Sequence, residues 1–574
     1  MRIEHYLDEL AAEAIMKASG VAAPALLRRA KDPSFGDYQI NGVMPLAKIA
    51  GKPPRELARS IAENLASQEA ISRAEVAGPG FINLHLSLDW ICKQLRSMGA
   101  DAKRDGVPLV EKADKIVVDF SSPNIAKQMH VGHLRSTIIG DALIRLLRFV
   151  GHEVIGDNHL GDWGTQFGLL IVGMRRFGSR DELKRNPIEE LGRIYKLANA
   201  AAKQDEAVAD QARLELAKLQ AGDGENREIW KSFLETSRVE LERIYGRLGV
   251  SFDTWLGESF YQDMLDDVVA DLVKRGIARE DGGAVCVFFD DISELAALKT
   301  PLIVQKKDGA FLYATTDIAT ALYRRDHLLA NRVLYVVDQR QSLHFRQLFA
   351  VMAKLGVTMR LEHIGFGSVL GTDNKPLKTR EGNLISLSEL LDRAEERAAE
   401  RMRCEGLNLS AQQISDLAPI VGIGAIKYVD LQQNRLSDYQ FDWDKMISFK
   451  GNSGPYLQYA HARIQAVFRK GGIEPKSLMT DTPLYIEHDT EIALAKQLIC
   501  FADTIHQAAE TSYPHLICDH LYSLARLFSS FYEQCPVLKA EPKQRTTRLL
   551  LSSIVSRQIK RGLALLGIEA PNRM

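Results

Sequence analysis

Cysteine is scarce and scattered in this 574-residue sequence: Cys92, Cys286, Cys404, Cys500, Cys518 and Cys535 stand singly, with no C-x-x-C pair. That indicates neither a zinc ribbon nor a disulfide framework. Small thiols of this kind suit a reduced, cytoplasmic setting, where they serve as buried hydrophobes. No apolar run approaches the roughly 18 residues that a membrane span needs. The first twenty residues, MRIEHYLDELAAEAIMKASG, carry four carboxylates in an amphipathic pattern, so they read as neither a signal peptide nor a transit peptide. A zincin spacing of His-Glu-x-x-His is missing, and no protein-held metal is expected. A large net charge is missing as well. At -1 the chain does not announce a nucleic-acid partner globally.

What is present suits a folded chain of several modules: 46% hydrophobic and 26% charged residues leave little room for long disorder. Residues 1–110 alternate helical patterns with short strands. RAEVAGPGFINLHLS carries a Gly-Pro-Gly turn before an alternating strand, and Arg104 to Asp114 is polar and broken, as in a linker. From 111 to 445 the order becomes strand, glycine- or proline-bearing loop, helix, strand. KIVVDF, the helix Leu134 to Phe149 and HEVIGDNH form a βαβ unit of a parallel sheet. RVLYVVD at 332–338 and HIGFGSVL at 363–370 are later strands. A charge-laced helical insertion at about 177–290 splits the sheet, and residues 446–574 are almost entirely helical. The expected fold class is α/β, with a small α/β module before the parallel sheet and an all-α domain after it.

The most informative segment follows KIVVDF. SSPNIAKQMHVGHLRSTIIGD places His130-Val131-Gly132-His133 where a helix begins. Ligands of open parallel sheets sit at the carboxyl ends of strands, and a helix start presents N–H groups and the positive dipole end. The spacing puts both imidazoles on one side of the first turn, and Gly132 removes a side chain where a nucleotide can approach. Taken alone, the pair reads more readily as a polar helix cap than as a ligand site.

The longer context narrows this. SPNIAK-x-MHVGHLRST, continued by NHLGDWGTQFG at Asn158 to Gly168, resembles the arginyl form of the class I aminoacyl-tRNA synthetases, and the likeness runs through nearly the whole chain. It implies a Rossmann-like catalytic domain at 111–445, an N-terminal module for the tRNA D-loop and an anticodon-binding C-terminal domain. It also implies two-step chemistry, in which arginine attacks the α-phosphorus of ATP and the arginyl group then passes to tRNA-Arg, with Mg²⁺ held mainly by phosphates. His130, Gly132 and His133 then serve the phosphates and adenosine. The second class signature departs from the family loop: Gly371-Thr-Asp-Asn-Lys-Pro-Leu-Lys-Thr-Arg-Glu-Gly382 places Thr379 where a lysine belongs. Lys375, Lys378 and Arg380 keep it cationic, and Lys127 is expected to supply the missing charge. His344, Val369 and Leu370 are further implied ATP contacts.

A bound guanidinium needs carboxylates, because it has five donors and keeps its charge. Tyr313 and Asp317 match the family's arginine contacts, as do Gln341, Ser122, Asn124 and His133, with Glu258 a second acid. Asp317 before IATALYRR also fits a helix N-cap. For tRNA, the resemblance implies Tyr38, Gln39 and Asn41 in FGDYQIN and Tyr456, Tyr459 and Arg463 in NSGPYLQYAHAR. From Phe449 to Met574 there are 15 Lys+Arg against 11 Asp+Glu, and none of the acids lies between Pro542 and Ile568. Arg557, Lys560 and Arg561 share a helical face there, either a phosphate strip or a solvated surface. A monomer is expected. The competing readings are a catalytically inactive synthetase-like RNA-binding protein and a class I synthetase for another amino acid.

Overall fold

The computed structural model describes all residues except 31, 126–127, 297–299, 372–373, 376–384, 408, 476–477 and 479–481. The chain divides into two compact units, residues 111–406 with 414–447, and residues 1–110 with 407–413 and 448–574.

The first unit is built on a parallel sheet in the order Arg360–His363, Arg332–Tyr335, Lys115–Asp119, Glu153–Asp157. The two strands earliest in the chain are thus neighbours, and the later pair is added on the other side of Lys115–Asp119. The topological switch falls between Lys115–Asp119 and Arg332–Tyr335, where the crossovers diverge and a crevice opens at the carboxyl ends. Val117, Val118, Val333 and Leu334 are fully buried, which explains why these strands read as continuous apolar runs rather than alternating ones.

The signature helix runs over Val131–Val150, and Leu134, Ile138, Ile139, Leu143 and Leu147 recur at helical spacing on its buried side. Each such side chain contributes roughly 1.5–3 kcal/mol by leaving water. Gly140 lets the helix settle on the sheet, since a Cβ there would overlap the Phe120 ring.

Two expectations change. The stretch 363–370 is not one strand: Arg360–His363 and Val369–Leu370 are separate, and between them Gly365 presses against the Gln339 amide and Gly367 against the Ser437 backbone and the Asp438 carboxylate, where a Cβ would collide. The insertion also begins earlier and is not wholly helical. Helices fill Thr165–Leu248, and a three-stranded antiparallel sheet follows at Ala278–Asp281, Ala284–Val287 and Leu302–Gln305.

Beneath the crevice, Arg324 is fully buried and bridges two strand ends, its Nη2 lying 2.8 Å from Asp119 and 2.6 Å from Asp157. The guanidinium also faces the Tyr335 ring at 5.4 Å. Removing one member of such a buried cluster strands the others. Arg324→Met is therefore expected to lower stability by about 3–5 kcal/mol, measured as a shift in the urea unfolding midpoint of the first unit.

In the second unit, a four-stranded antiparallel sheet has the order Leu27–Arg29, Tyr38–Ile40, Phe81–Leu86, Ile71–Ala77, and Gly78-Pro79-Gly80 makes the turn between its last two strands in sequence. It shares this unit with the helices Gly454–Gly471, Asp489–Ile499, Phe501–Thr511, His515–Gln534 and Pro542–Leu565. Several buried polar contacts join the two parts. The Asp503 carboxylate accepts the N–H groups of Ile3 and Glu4 at 2.9 and 3.2 Å, capping the helix Ile3–Ser19 across the unit. Asp105, fully buried, receives Arg557 at 2.7 Å and Arg561 at 2.6 Å, and these guanidiniums also donate to the Met98, Gly99 and Ala102 carbonyls.

This corrects the reading of the basic strip. The helix Pro542–Leu565 is buried on most of its circumference, so Arg557 and Arg561 hold the unit together instead of facing phosphate, and Arg548 pairs with buried Glu491 at 2.7 Å. Lys560 alone of the predicted trio is exposed. The expected linker 104–114 is likewise anchored through Asp105. Tyr38 is also corrected. The strand Tyr38–Ile40 alternates, turning Tyr38 inward with its hydroxyl 3.8 Å from Cys500 Sγ. Gln39 faces the other way and donates to Asn83 at 2.8 Å, while Asn41 bonds the Leu26 carbonyl at 3.3 Å.

Candidate active site

The crevice holds a cavity of about 450 Å³ lined by residues from every strand end around the switch point. Its floor begins with an unusual turn. Ser121 and Ser122 both adopt left-handed backbone conformations, with φ of 69° and 46°. For residues with a Cβ this costs about 1–3 kcal/mol each, so the turn must be held. The Ser121 N–H donates to Ser136 Oγ at 2.8 Å, and its hydroxyl meets Thr137 at 2.8 Å and Tyr245 at 2.7 Å. The Ser122 N–H donates to Asn158 Oδ1 at 3.1 Å, and its hydroxyl to Asp119 at 2.9 Å. The turn brings Ser122 and Asn124 to the cavity wall. Asn124 lies against Gly161, where a Cβ would collide with its amide oxygen.

His130 is the N-cap of the signature helix, and its Nδ1 accepts the Gly132 N–H at 3.0 Å. Reciprocally, His133 Nδ1 accepts the His130 N–H at 3.2 Å. The polar-cap reading is therefore part of the answer, and it has a chemical consequence. With Nδ1 of each ring accepting, the proton of a neutral imidazole resides on Nε2, the tautomer that donates outward. The two rings lie 4.1 Å apart, and Gly132 and His133 line the cavity. A Cβ on Gly132 would press into the His130 ring.

The opposite wall comes from the helix Tyr313–Asp326. Its N-cap is Leu312, so Asp317 stands in the second turn and does not cap the helix. Tyr313 and Asp317, one turn apart, both face the cavity, as do Glu258, Gln341 and His344. Tyr313 is 65% exposed, at the mouth. His344 Nε2 lies 2.6 Å from Asp317 Oδ2. Burial works against charging this imidazole, but the hydrogen bond and charge of Asp317 prevail and raise its pKa. Glu258 is different: burial first, then repulsion from Asp162 and Asp317, push its carboxyl up to about 8. Asp162 stands close because it accepts the Ser259 N–H at 2.8 Å and its hydroxyl at 2.7 Å, fixing the Gly257-Glu258-Ser259 turn.

Of the residues expected at the site, Ser122, Asn124, Gly132, His133, Glu258, Tyr313, Asp317, Gln341 and His344 meet in one cavity. Val369 and Leu370 do not line it; they pair with Tyr439 and Gln440 in a two-stranded ladder. His344, expected at the nucleotide, rests on an acid expected at the amino acid. Lys375 is exposed on the turn after Gly371. Lys127, Lys378, Thr379 and Arg380 lie outside the described residues. Sequence reasoning missed Asp119, His159 and Asp338 on the wall, Arg324 and Tyr245 behind it, and the supporting Asn158, Thr137 and Ser136, the last of which also lines the cavity. The last three stood in the quoted motifs, but nothing in the sequence told a supporting hydroxyl or amide from a contacting one.

In the second unit, Ser453 caps the helix Gly454–Gly471. Tyr456 meets Tyr522 edge-on at 5.9 Å, Tyr459 meets Phe449 at 6.2 Å, and exposed Arg463 lies 4.8 Å from the centre of the Tyr532 ring. Tyr456, Tyr459 and Arg463 thus share one face of this helix, each beside an aromatic ring.

A parallel sheet whose switch point holds a His-x-Gly-His helix start, followed by a helical domain, defines a class I aminoacyl-tRNA synthetase. Residues 97–443 match the family described as tRNA synthetases class I (R), catalytic domain, residues 457–574 the DALR anticodon binding domain, and residues 3–86 the arginyl tRNA synthetase N terminal domain. The chain belongs to the arginyl-tRNA synthetase family. It is 44% identical over 581 residues to the arginine–tRNA ligase of Edwardsiella ictaluri, covering 100% of both chains. It is 44% identical over 551 residues to that of Fusobacterium nucleatum, covering 96% of this chain and 95% of the relative. The arginyl-tRNA synthetase structure from Plasmodium falciparum superposes with a TM-score of 0.83 at 29% identity, covering 100% of this chain and 99% of that one. The Thermus thermophilus structure shares the fold, with a TM-score of 0.82 at 24% identity and coverage of 100% of each chain. Among the described residues, no helix is long and apolar enough to cross a membrane, and no cluster of three or more His, Cys, Asp and Glu could hold a metal.

Proposed function

We propose that this arginine–tRNA ligase activates L-arginine in the cavity at the switch point, with the guanidinium seated between Glu258 and Asp317 and the ATP phosphates at the start of the signature helix. The observation that carries the reading is that these two acids, Gly132 and His133 line the same space. Tyr313 covers the guanidinium, Gln341 flanks it, and Ser122 and Asn124 hold the α-amino and carboxylate groups. The arginine carboxylate attacks the α-phosphorus, the bond to the bridging oxygen breaks, and pyrophosphate leaves. A ribose hydroxyl at the 3′ end of tRNA-Arg then attacks the acyl carbon, and AMP departs. ATP enters as its magnesium complex, the ion held by phosphates. Little covalent help is needed, so positioning and charge stabilisation dominate. His130 and His133 donate through Nε2 to the phosphates, and Lys127, Lys375, Lys378 and Arg380 are the cations assigned to them. The protein acts as a monomer in the cytoplasm.

Pyrophosphate exchange across the amino acids, with and without tRNA, tests this. Exchange is expected with arginine plus cognate tRNA. Its absence there, or stronger exchange with another amino acid, refutes the reading.

For tRNA, Tyr456, Tyr459 and Arg463 form the surface we assign to unpaired anticodon bases. Stacking on an aromatic is worth about 1–3 kcal/mol per base. Tyr459→Ala should therefore raise KM for tRNA by roughly 5–100-fold while leaving KM for arginine unchanged, measured by aminoacylation kinetics. Lys560, with Gln39 and Asn41, is assigned a weaker backbone contact.

A further inference from the structure

The cavity is acidic, and three of its carboxyl groups touch a basic side chain. Four carboxyl groups line it, Asp119, Asp338, Glu258 and Asp317, and no lysine or arginine is among its described lining residues. Asp119 is held from below by Arg324 at 2.8 Å, a cation it shares with Asp157. Asp338 is held by Arg340, with two contacts at 2.9 and 2.7 Å. That leaves the pair facing the proposed guanidinium seat. Asp317 has its Oδ2 on His344 Nε2 at 2.6 Å, a length typical of a charge-assisted hydrogen bond. The imidazole sits on the first turn of the helix Ser342–Lys354, its edge against Phe345 with ring centres 5.4 Å apart, and both side chains are about one-quarter exposed. The remaining titratable groups on the wall are His133, His159, Tyr313 and Tyr335. His133 Nδ1 is engaged with the His130 N–H, and His159 Nδ1 lies 3.0 Å from the Leu256 carbonyl.

We propose that His344 is a stand-in for the substrate's guanidinium: it holds one oxygen of Asp317 and gives up its proton when arginine binds. This rests on the reading that Asp317 seats the guanidinium. Arginine keeps its charge, so a guanidinium on the same carboxylate repels a protonated His344 and favours its neutral form. The Asp317 hydrogen bond and charge raise the His344 pKa and favour its charged form, and Glu258, with its pKa of about 8, must also ionise to pair with the ligand. Arginine binding is therefore a proton exchange, and it strengthens as pH rises through the range of both groups. For each proton displaced, apparent affinity changes by up to about tenfold per pH unit below the group's pKa. His344 thereby becomes a specificity residue. A neutral isostere such as citrulline brings no charge to replace the imidazolium and so cannot dislodge it.

The test is the pH profile of KM for arginine in aminoacylation by the full-length protein, for wild type, His344→Gln and Asp317→Asn. A profile assigns the effect because a merely structural role would shift every point alike. At pH 6 the glutamine variant, with no imidazolium to displace, is expected to show a several-fold lower KM for arginine than wild type. The two should converge at alkaline pH, with KM for ATP unchanged. Calorimetric arginine titrations of the same proteins, in buffers of different ionisation enthalpy near pH 7, should show fewer protons released by His344→Gln. Parallel KM profiles with equal proton release overturn the proposal, as does an effect on ATP rather than arginine. If Asp317→Asn instead keeps wild-type KM for arginine, the seat itself is wrong, a result distinct from failure of the His344 role alone.

Discussion

Asp317→Asn is expected to lower kcat/KM for arginine by on the order of 10⁴-fold, the scale of discrimination when a buried polar group is left mispaired. The asparagine amide is nearly isosteric, so the helix Tyr313–Asp326 should stay intact, and the whole loss falls on recognition. The guanidinium would meet a neutral oxygen on one side and Glu258 on the other. His344 would lose the carboxylate now 2.6 Å from its Nε2, and its pKa should fall toward the ordinary imidazole range. Steady-state kinetics with arginine varied at saturating ATP and tRNA measure the effect. A loss below tenfold would remove Asp317 from the seat.

The second large effect separates the two jobs of His133. An asparagine Oδ1 can replace Nδ1 as acceptor of the His130 N–H, whereas a glutamine Nε2 can reach outward as a donor. If donation to phosphate is what matters, His133→Asn should keep the helix start and lose roughly 10²–10³ in kcat, the usual worth of one placed donor. His133→Gln should lose less. The opposite order, with His133→Gln the worse, would make capping the dominant role and refute the phosphate assignment. Single-turnover measurement of adenylate formation with tRNA present isolates the step concerned.

Much of this arrangement could be read from residue order. The strand–loop–helix at KIVVDF and HVGHL was legible because burial on both faces makes parallel strands continuously apolar and because a glycine between two polar residues marks a helix start. The acids at Glu258 and Asp317 were legible because a guanidinium demands them. What escaped was decided by distant partners. Nothing near Arg557 or Arg561 announces a buried carboxylate on the far side of the chain, so a helical face rich in cations looked like a phosphate strip. Tyr38 looked like a contact because its motif is polar, while strand alternation turns it inward. The pairing of His344 with Asp317 joins two helices whose separation in sequence carries no mark of their proximity. The inactive RNA-binding alternative finds no support in a cavity whose site residues are present and mutually supported.

The Asp105 clamp also bears on how the protein comes to fold. Its two guanidiniums are 452 and 456 residues further along the chain. During synthesis the carboxylate emerges long before its partners, so the N-terminal sheet and its neighbouring turn must form with that acid still hydrated. Contacts of such sequence separation pay their loop-closure entropy late. Final consolidation of this unit therefore waits for the helix Pro542–Leu565, and a nascent chain shorter than that should be the species most exposed to proteolysis and most in need of a chaperone.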